Sequence, residues 1–174
     1  MVRPISSTHS LILLTAQNQP GPPFTIDPAK RSIYNSNHDH LLVTASFGRI
    51  LPDTILELFP PNQRLNVHPS ILPAYRGAAP IQHAIMNGER KTGVCVIQML
   101  EKAKGIDAGR IWASQHTVSF SFSMKLRLIY LCYCYLGKPI PEDERFGPLR
   151  DGLARQGGRL LVSVLRDMLA GKVS

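Results

Sequence analysis

Short apolar runs, each cut off by proline or glycine, fill this chain from residue 41 onwards and limit what it can become. Leu41-Leu42-Val43-Thr44-Ala45-Ser46 has the length of a buried strand and stops at Phe47-Gly48 and then Pro52. Pro52-Asp53 opens a helix with an acidic first turn, which Pro60-Pro61 keeps short. Arg64 to His68 reads as a second strand. Ala79 to Asn87 reads as a helix, with Ile81, Ile85 and Met86 on one face and Gly88 at its cap. Gly93 to Met99 and Arg110 to Thr117 read as two further strands. Strands alternating with helices predict an α/β sheet with parallel strands. The helical spacing of Leu149, Leu153, Leu160, Val164 and Met168 predicts a last helix from about Gly147 to Ala170, with Gly157-Gly158 as the place where it breaks or bends.

Two stretches do not follow this pattern. Residues 1–40 hold five prolines and one apolar run, Leu11 to Leu14, readable as a strand or a helical turn; the rest reads as loop. Residues 118–136 hold three of the five Tyr and two of the three Cys, but no Gly, Pro, Asp or Glu. Their second half is apolar on every side, an aggregation liability if exposed. We read 118–136 as an insert, the translation of an unspliced intron or a mis-joined exon, whose tyrosines and cysteines have no function. The organisation expected is therefore a poorly defined 1–40, a core at 41–117, the insert at 118–136 and a closing helix within 137–174.

Composition narrows the class. At 174 residues, 44% hydrophobic and 18% charged, the chain suits one globular domain and is neither disordered, collagenous nor a coiled coil. Twenty Lys and Arg against 12 Asp and Glu give a net charge of +8, which permits a polyanionic partner such as RNA without establishing one. The longest apolar run, Leu128 to Leu136, is far short of the ~20 residues a membrane span needs, so no membrane is expected. Three cysteines without paired spacing argue against a disulfide scaffold or zinc site and for a reducing compartment. The first twenty residues do not read as a secretory signal. Frequent Ser and Thr and the lack of acids before Asp27 leave a mitochondrial presequence open.

Chemistry concentrates in the stretch from Asn66 to Ile81. Asn66 and His68 lie two apart on a strand that Pro69 ends, so both side chains leave on one face. An amide donor beside an imidazole suits a tetrahedral acyl-transfer intermediate. A strand-end Asn and His satisfied by loop backbone would give the same spacing. Asp107 stands between Gly105 and Gly109, where glycines would let backbone approach a ligand and the carboxylate could reach His68; an ordinary turn fits those residues equally.

Taken together, Asn66-x-His68-x-Ser70-Ile71-Leu72-Pro73, Tyr75-Arg76-Gly77-Ala78-Ala79-Pro80-Ile81, Thr92-Gly93-Val94 and Asp107-x-Gly109 resemble the catalytic domain of the folate-dependent formyltransferases. The string Arg76 to Ile81 resembles the members that formylate methionyl-tRNA, and differs from those acting on glycinamide ribonucleotide or on formyltetrahydrofolate itself. Ser46 to Pro52 resembles the loop flanking the folate pocket. Glu142-Asp143, Gly147, Leu149, Leu153-Ala154 and Gly157 resemble the closing helix.

The resemblance implies an α/β fold, a Rossmann-like parallel sheet closed by a C-terminal helix. The sheet is expected to be incomplete, because residues 1–40 do not supply the family's opening strand, Gly-Thr-Pro turn and helix. The family's C-terminal barrel is not in the sequence either. The implied reaction is formyl transfer from 10-formyltetrahydrofolate to the amino group of initiator methionyl-tRNA, without a metal. By resemblance Asn66, His68 and Asp107 are catalytic, and Phe47, Gly48, Ile50, Leu51, Ser70, Ile71, Leu72 and Pro73 bind folate. Arg76 meets tRNA or a carboxylate, or fixes its own loop through a salt bridge. A monomer is expected, in mitochondria or otherwise in the cytoplasm. The competing expectation is a non-catalytic piece that keeps the site residues without the reaction. A small RNA-binding module is disfavoured by dispersed basic residues and the lack of a stacking-aromatic motif.

Overall fold

The computed structural model describes residues 10–15, 40–45, 50–118 and 146–172. Five strands form one sheet in sequence order: β1 (Ser10–Thr15), β2 (His40–Ala45), β3 (Arg64–His68), β4 (Lys91–Gln98) and β5 (Ile111–Val118). Three helices accompany them: α1 (Asp53–Leu56), α2 (Pro80–Met86) and α3 (Phe146–Leu169). The run Leu11 to Leu14 resolves as strand, so the first forty residues do contribute an element to the sheet. Residues 119–136 of the insert, Phe47, Gly48 and Glu142-Asp143 lie outside the described residues.

The α/β class holds, but the sheet is mixed where parallel strands were expected. β1, β2 and β3 run parallel, whereas β4 is antiparallel to β3 and β5 antiparallel to β4. The connections explain the difference. A parallel crossover carries the chain back along the whole strand, usually on a helix. Between β4 and β5 the connection holds only the short turn Lys102–Lys104, so the chain reverses directly. Between β3 and β4 the chain uses most of its length in the loop after His68, and α2 has only seven residues.

Both faces of the sheet are covered, which is why β2 and β4 are apolar almost without interruption. On one face, Val164 and Met168 of α3 pack on Leu41, Val43, Leu65 and Val96. Leu149 and Leu153, nearer the start of α3, meet Ile81 and Ile85 of α2. On the other face, Ile55, Leu56, Leu58 and Phe59 from α1 and its following turn cover Leu42 and Leu51. Leu72, Cys95 and Ile97 form a smaller cluster.

Helix α3 does not break at Gly157-Gly158; it is continuous over 24 residues. The reason for a glycine is contact. A Cβ on Gly157 would lie 2.7 Å from Val67 Cγ1 and 3.2 Å from Val94 Cγ2, so the bare backbone lets the helix settle onto β3 and β4. Among the described residues no helix is long and apolar enough to cross a membrane.

Candidate active site

Strand β3 delivers Asn66 and His68 to the end of the sheet where its pairing with β2 and β4 stops. Asp107 comes from the loop between β4 and β5, and all three side chains meet. Asn66 Nδ2 donates to Asp107 Oδ1 at 3.1 Å. Asp107 Oδ2 accepts from the Gly77 backbone N–H at 2.9 Å and lies 3.5 Å from His68 Nδ1. The carboxylate thus gathers a strand side chain, a loop amide and the imidazole at one point.

His68 is buried, with its Nε2 donating to the Tyr75 carbonyl at 2.8 Å. A carbonyl can only accept, so Nε2 carries a proton in this arrangement. Nδ1 is then the nitrogen left to exchange protons, and a proton arriving there faces the Asp107 carboxylate. The Asn66 amide has two N–H groups, one of which Asp107 occupies. The other is available to a developing oxyanion.

Backbone conformation at the site is unusual. Tyr75, Ala79 and Asp107 hold positive φ angles of 58°, 54° and 50°, although none is glycine. Such conformations cost free energy and persist only where the surroundings impose them, commonly at functional sites. The loop bearing Asp107 is held from below. Buried Arg64 donates from Nε to the Phe59 carbonyl and from Nη1 to Glu101 Oε1, both at 2.7 Å, and Lys104 Nζ meets Glu101 Oε2 at 2.9 Å. Hydrogen bonds from Lys104 and then Arg64 lower the Glu101 pKa to about 2. Gly109 lets the loop lie against β4, since a Cβ there would collide with the Gln98 carbonyl.

The residues expected to bind folate divide by burial. Ser70 is wholly buried, its hydroxyl donating to the Ala74 carbonyl at 2.7 Å, so that side chain closes the turn after β3. Leu72 packs with Cys95 and Ile97, and Leu51 with α1. Ile71 is partly exposed, while Pro73 and Ile50 are open to solvent. Arg76 is exposed and has no ion pair among the described residues, so the loop-fixing salt bridge is not formed there.

Sequence reasoning missed three participants. Thr44, opposite Asn66 in the β2–β3 register, donates from Oγ1 to Asn66 Oδ1 at 2.8 Å. A lone hydroxyl in an otherwise aliphatic buried strand was the available signal, since such a group needs a partner. Tyr75 holds His68 through its carbonyl, and its own hydroxyl donates to Glu89 Oε1 at 2.6 Å and accepts from Asn87 Nδ2 at 3.0 Å. Burial and the Glu89 bond both push its phenol pKa up. Gly77 contributes a backbone N–H, which no side-chain pattern announces.

Residues 15–120 match the model of the formyl transferase family. The chain belongs to that family. Methionyl-tRNA formyltransferase of Syntrophus aciditrophicus is 40% identical to this formyl transferase chain over 145 residues, which cover 83% of the chain but only 38% of that relative. The chain therefore spans little more than a third of the relative's length. Among solved structures, phosphoribosylglycinamide formyltransferase from Bacillus halodurans superposes with a TM-score of 0.53 at 25% identity, covering 74% of this chain and 54% of that one. A formyltransferase from Anoxybacillus kamchatkensis, solved with UDP-4,6-dideoxy-4-formamido-L-AltNAc and tetrahydrofolate, reaches a TM-score of 0.60 over 95% of this chain and 79% of its own. At 16% identity that likeness shows the shared formyl transferase fold alone.

Proposed function

We propose that this chain transfers a formyl group from 10-formyltetrahydrofolate to the α-amino group of methionine on initiator tRNA, in translation initiation. The observation that carries the reading is the single Asp107 carboxylate bonded to Asn66 and facing His68 Nδ1. The name of the 40% identical relative supports the acceptor, and the tetrahydrofolate bound in a fold neighbour supports the donor class. A mitochondrial setting belongs to the same proposal, as does a monomeric enzyme.

In this scheme the methionine nitrogen attacks the formyl carbon, forming a C–N bond and an oxyanion. The second N–H of Asn66 donates to that oxygen. His68 Nδ1, backed by Asp107, takes the proton that the attacking nitrogen must lose. The same pair returns a proton to the folate nitrogen as its bond to the formyl carbon breaks. Tyr75 keeps the ring oriented throughout, because its carbonyl occupies Nε2. Pro73 and Ile50 offer exposed apolar surface suited to the aromatic ring of the donor. Arg76 is exposed, has no ion pair among the described residues and sits on the turn between the two backbone groups that hold the site; in this scheme it meets the anionic RNA end.

The test is turnover by the purified chain with 10-formyltetrahydrofolate and charged initiator tRNA, beside a form lacking residues 118–136. Formylmethionine on the tRNA in either form supports the reading. Tetrahydrofolate binding without transfer in both forms would point instead to a non-catalytic binding piece.

A further inference from the structure

The outer face of α3 carries charge that neither the packing nor the proposed chemistry uses. Arg155, Arg159 and Arg166 stand at i, i+4 and i+11, so they share one side of the helix, and all three are exposed. None of them makes an ion pair among the described residues. Asp151, one turn earlier on that side, is already bonded to Arg150 at 3.0 Å. Residues 155–166 contain no acid at all.

Val162, 45% exposed, lies between Arg159 and Arg166, and Gly158 has nothing within reach of a Cβ. With Ala154 these residues line a shallow groove of about 450 Å³ along the helix. Like charges one turn apart repel and weaken a helix unless an anion lies across them. The arrangement is therefore costly in isolation and suited to a partner of opposite charge.

The groove also has a direction. The first turns of α3 meet Ile81 and Ile85 of α2, Gly157 sits on Val67 near the end of β3, and the last turns reach Leu41 at the start of β2. Helix α3 thus runs opposite to β3. Arg155 lies towards the end of the sheet that holds His68, and Arg166 lies ~16 Å further along the axis, with Arg159 ~6 Å from Arg155.

We propose that this face docks the phosphodiester backbone of RNA, and that its Arg155 end leads the strand towards the active site. Guanidinium groups pair with phosphate in two-point geometry, and a line of three matches a linear polyanion. A lipid surface fits less well, because among the described residues the helix exposes only Val162 and Leu169 as large hydrophobics beside these arginines, and interfacial helices need a broad apolar face. The identity of the RNA as the initiator tRNA rests on the formyl-transfer reading; the docking face itself does not.

The experiment is a titration of the full chain with transcribed initiator tRNA between roughly 50 and 200 mM salt, the range where phosphate contacts dominate the salt response. It compares wild type, the triple variant Arg155→Gln, Arg159→Gln, Arg166→Gln, and Arg90→Gln as an exposed control off the helix. Loss of three phosphate contacts should reduce the slope of log affinity against log salt by about 2, with at least a tenfold weaker affinity at ~100 mM, while the control keeps the wild-type slope. Should the triple variant lose its helical circular dichroism, Arg159→Gln alone should lower the slope by about 0.7.

Equal slopes for wild type and a folded variant would overturn the proposal. So would a variant that loses binding to phosphatidylserine vesicles but not to tRNA. Formyl transfer and tetrahydrofolate binding are followed in parallel. A slope difference without transfer keeps the docking face and removes the enzymatic reading; transfer with equal slopes does the reverse.

Discussion

Thr44 Oγ1 donates to Asn66 Oδ1 at 2.8 Å, and that bond decides which way the Asn66 amide faces. Thr44 also lies 3.4 Å from the Leu65 carbonyl and 3.3 Å from Met99 Sδ, but a hydroxyl has one proton and the shortest of the three contacts is the amide. With Oδ1 held by β2, Nδ2 is directed to Asp107 and to the site. Thr44→Val keeps the strand geometry and removes the donor. Losing about 1 kcal/mol of orientation should slow formyl transfer by roughly fivefold with little change in donor KM, and Thr44→Ser should restore it. An unchanged kcat for the valine variant would show that the amide is oriented by Asp107 alone.

The acid side of stability is set by the loop beneath Asp107. Glu101 is held to about 2 by Lys104 and Arg64, below the ordinary carboxylate value near 4.3. A lowered folded-state pKa means stabilisation that is complete above the unfolded value and lost as pH falls from there towards 2. Urea midpoints of wild type and Glu101→Gln should therefore differ at pH 6 and converge as the pH is lowered through that window. Parallel curves down to pH 2.5 would show that Glu101 contributes nothing through its charge.

Neighbouring glycines in α3 make a test with opposite signs. Gly157→Ala places a methyl against Val67 and Val94, so crowding of about 1–3 kcal/mol should outweigh the gain in helix propensity. Gly158→Ala meets open space and should stabilise by roughly 0.5–1 kcal/mol. Thermal unfolding of the two variants checks both, and stabilisation by both would remove the close contact from the account.

Those same glycines show how far the sequence could be read. Apolar spacing located α3 to within a residue or so, but nothing local distinguishes a glycine that bends a helix from one that lets it lie on a sheet. Strand β3 and its end at Pro69 were legible because proline stops pairing. Strand direction was not, because alternation of elements does not fix where each connection lands; the seven-residue α2 and the helix-poor stretch from Met99 to Arg110 decide it. Asn66, His68 and Asp107 were found by motif, and the structure brings them together. Thr44 and the Gly77 amide act through contacts made across the fold, at which the order of residues gives only a hint.

Asp107 is the residue on which the mechanism depends. Asp107→Asn would set an amide group against either the Asn66 or the Gly77 N–H, donor facing donor, and remove the charge beside His68. The most direct measurement is the single-turnover rate of formyl transfer to charged initiator tRNA by wild type and Asp107→Asn, with tetrahydrofolate affinity measured alongside. The account predicts transfer by wild type and a rate lower by about 10²–10⁴-fold in the variant at near-equal folate affinity. Equal rates in the two proteins would contradict it.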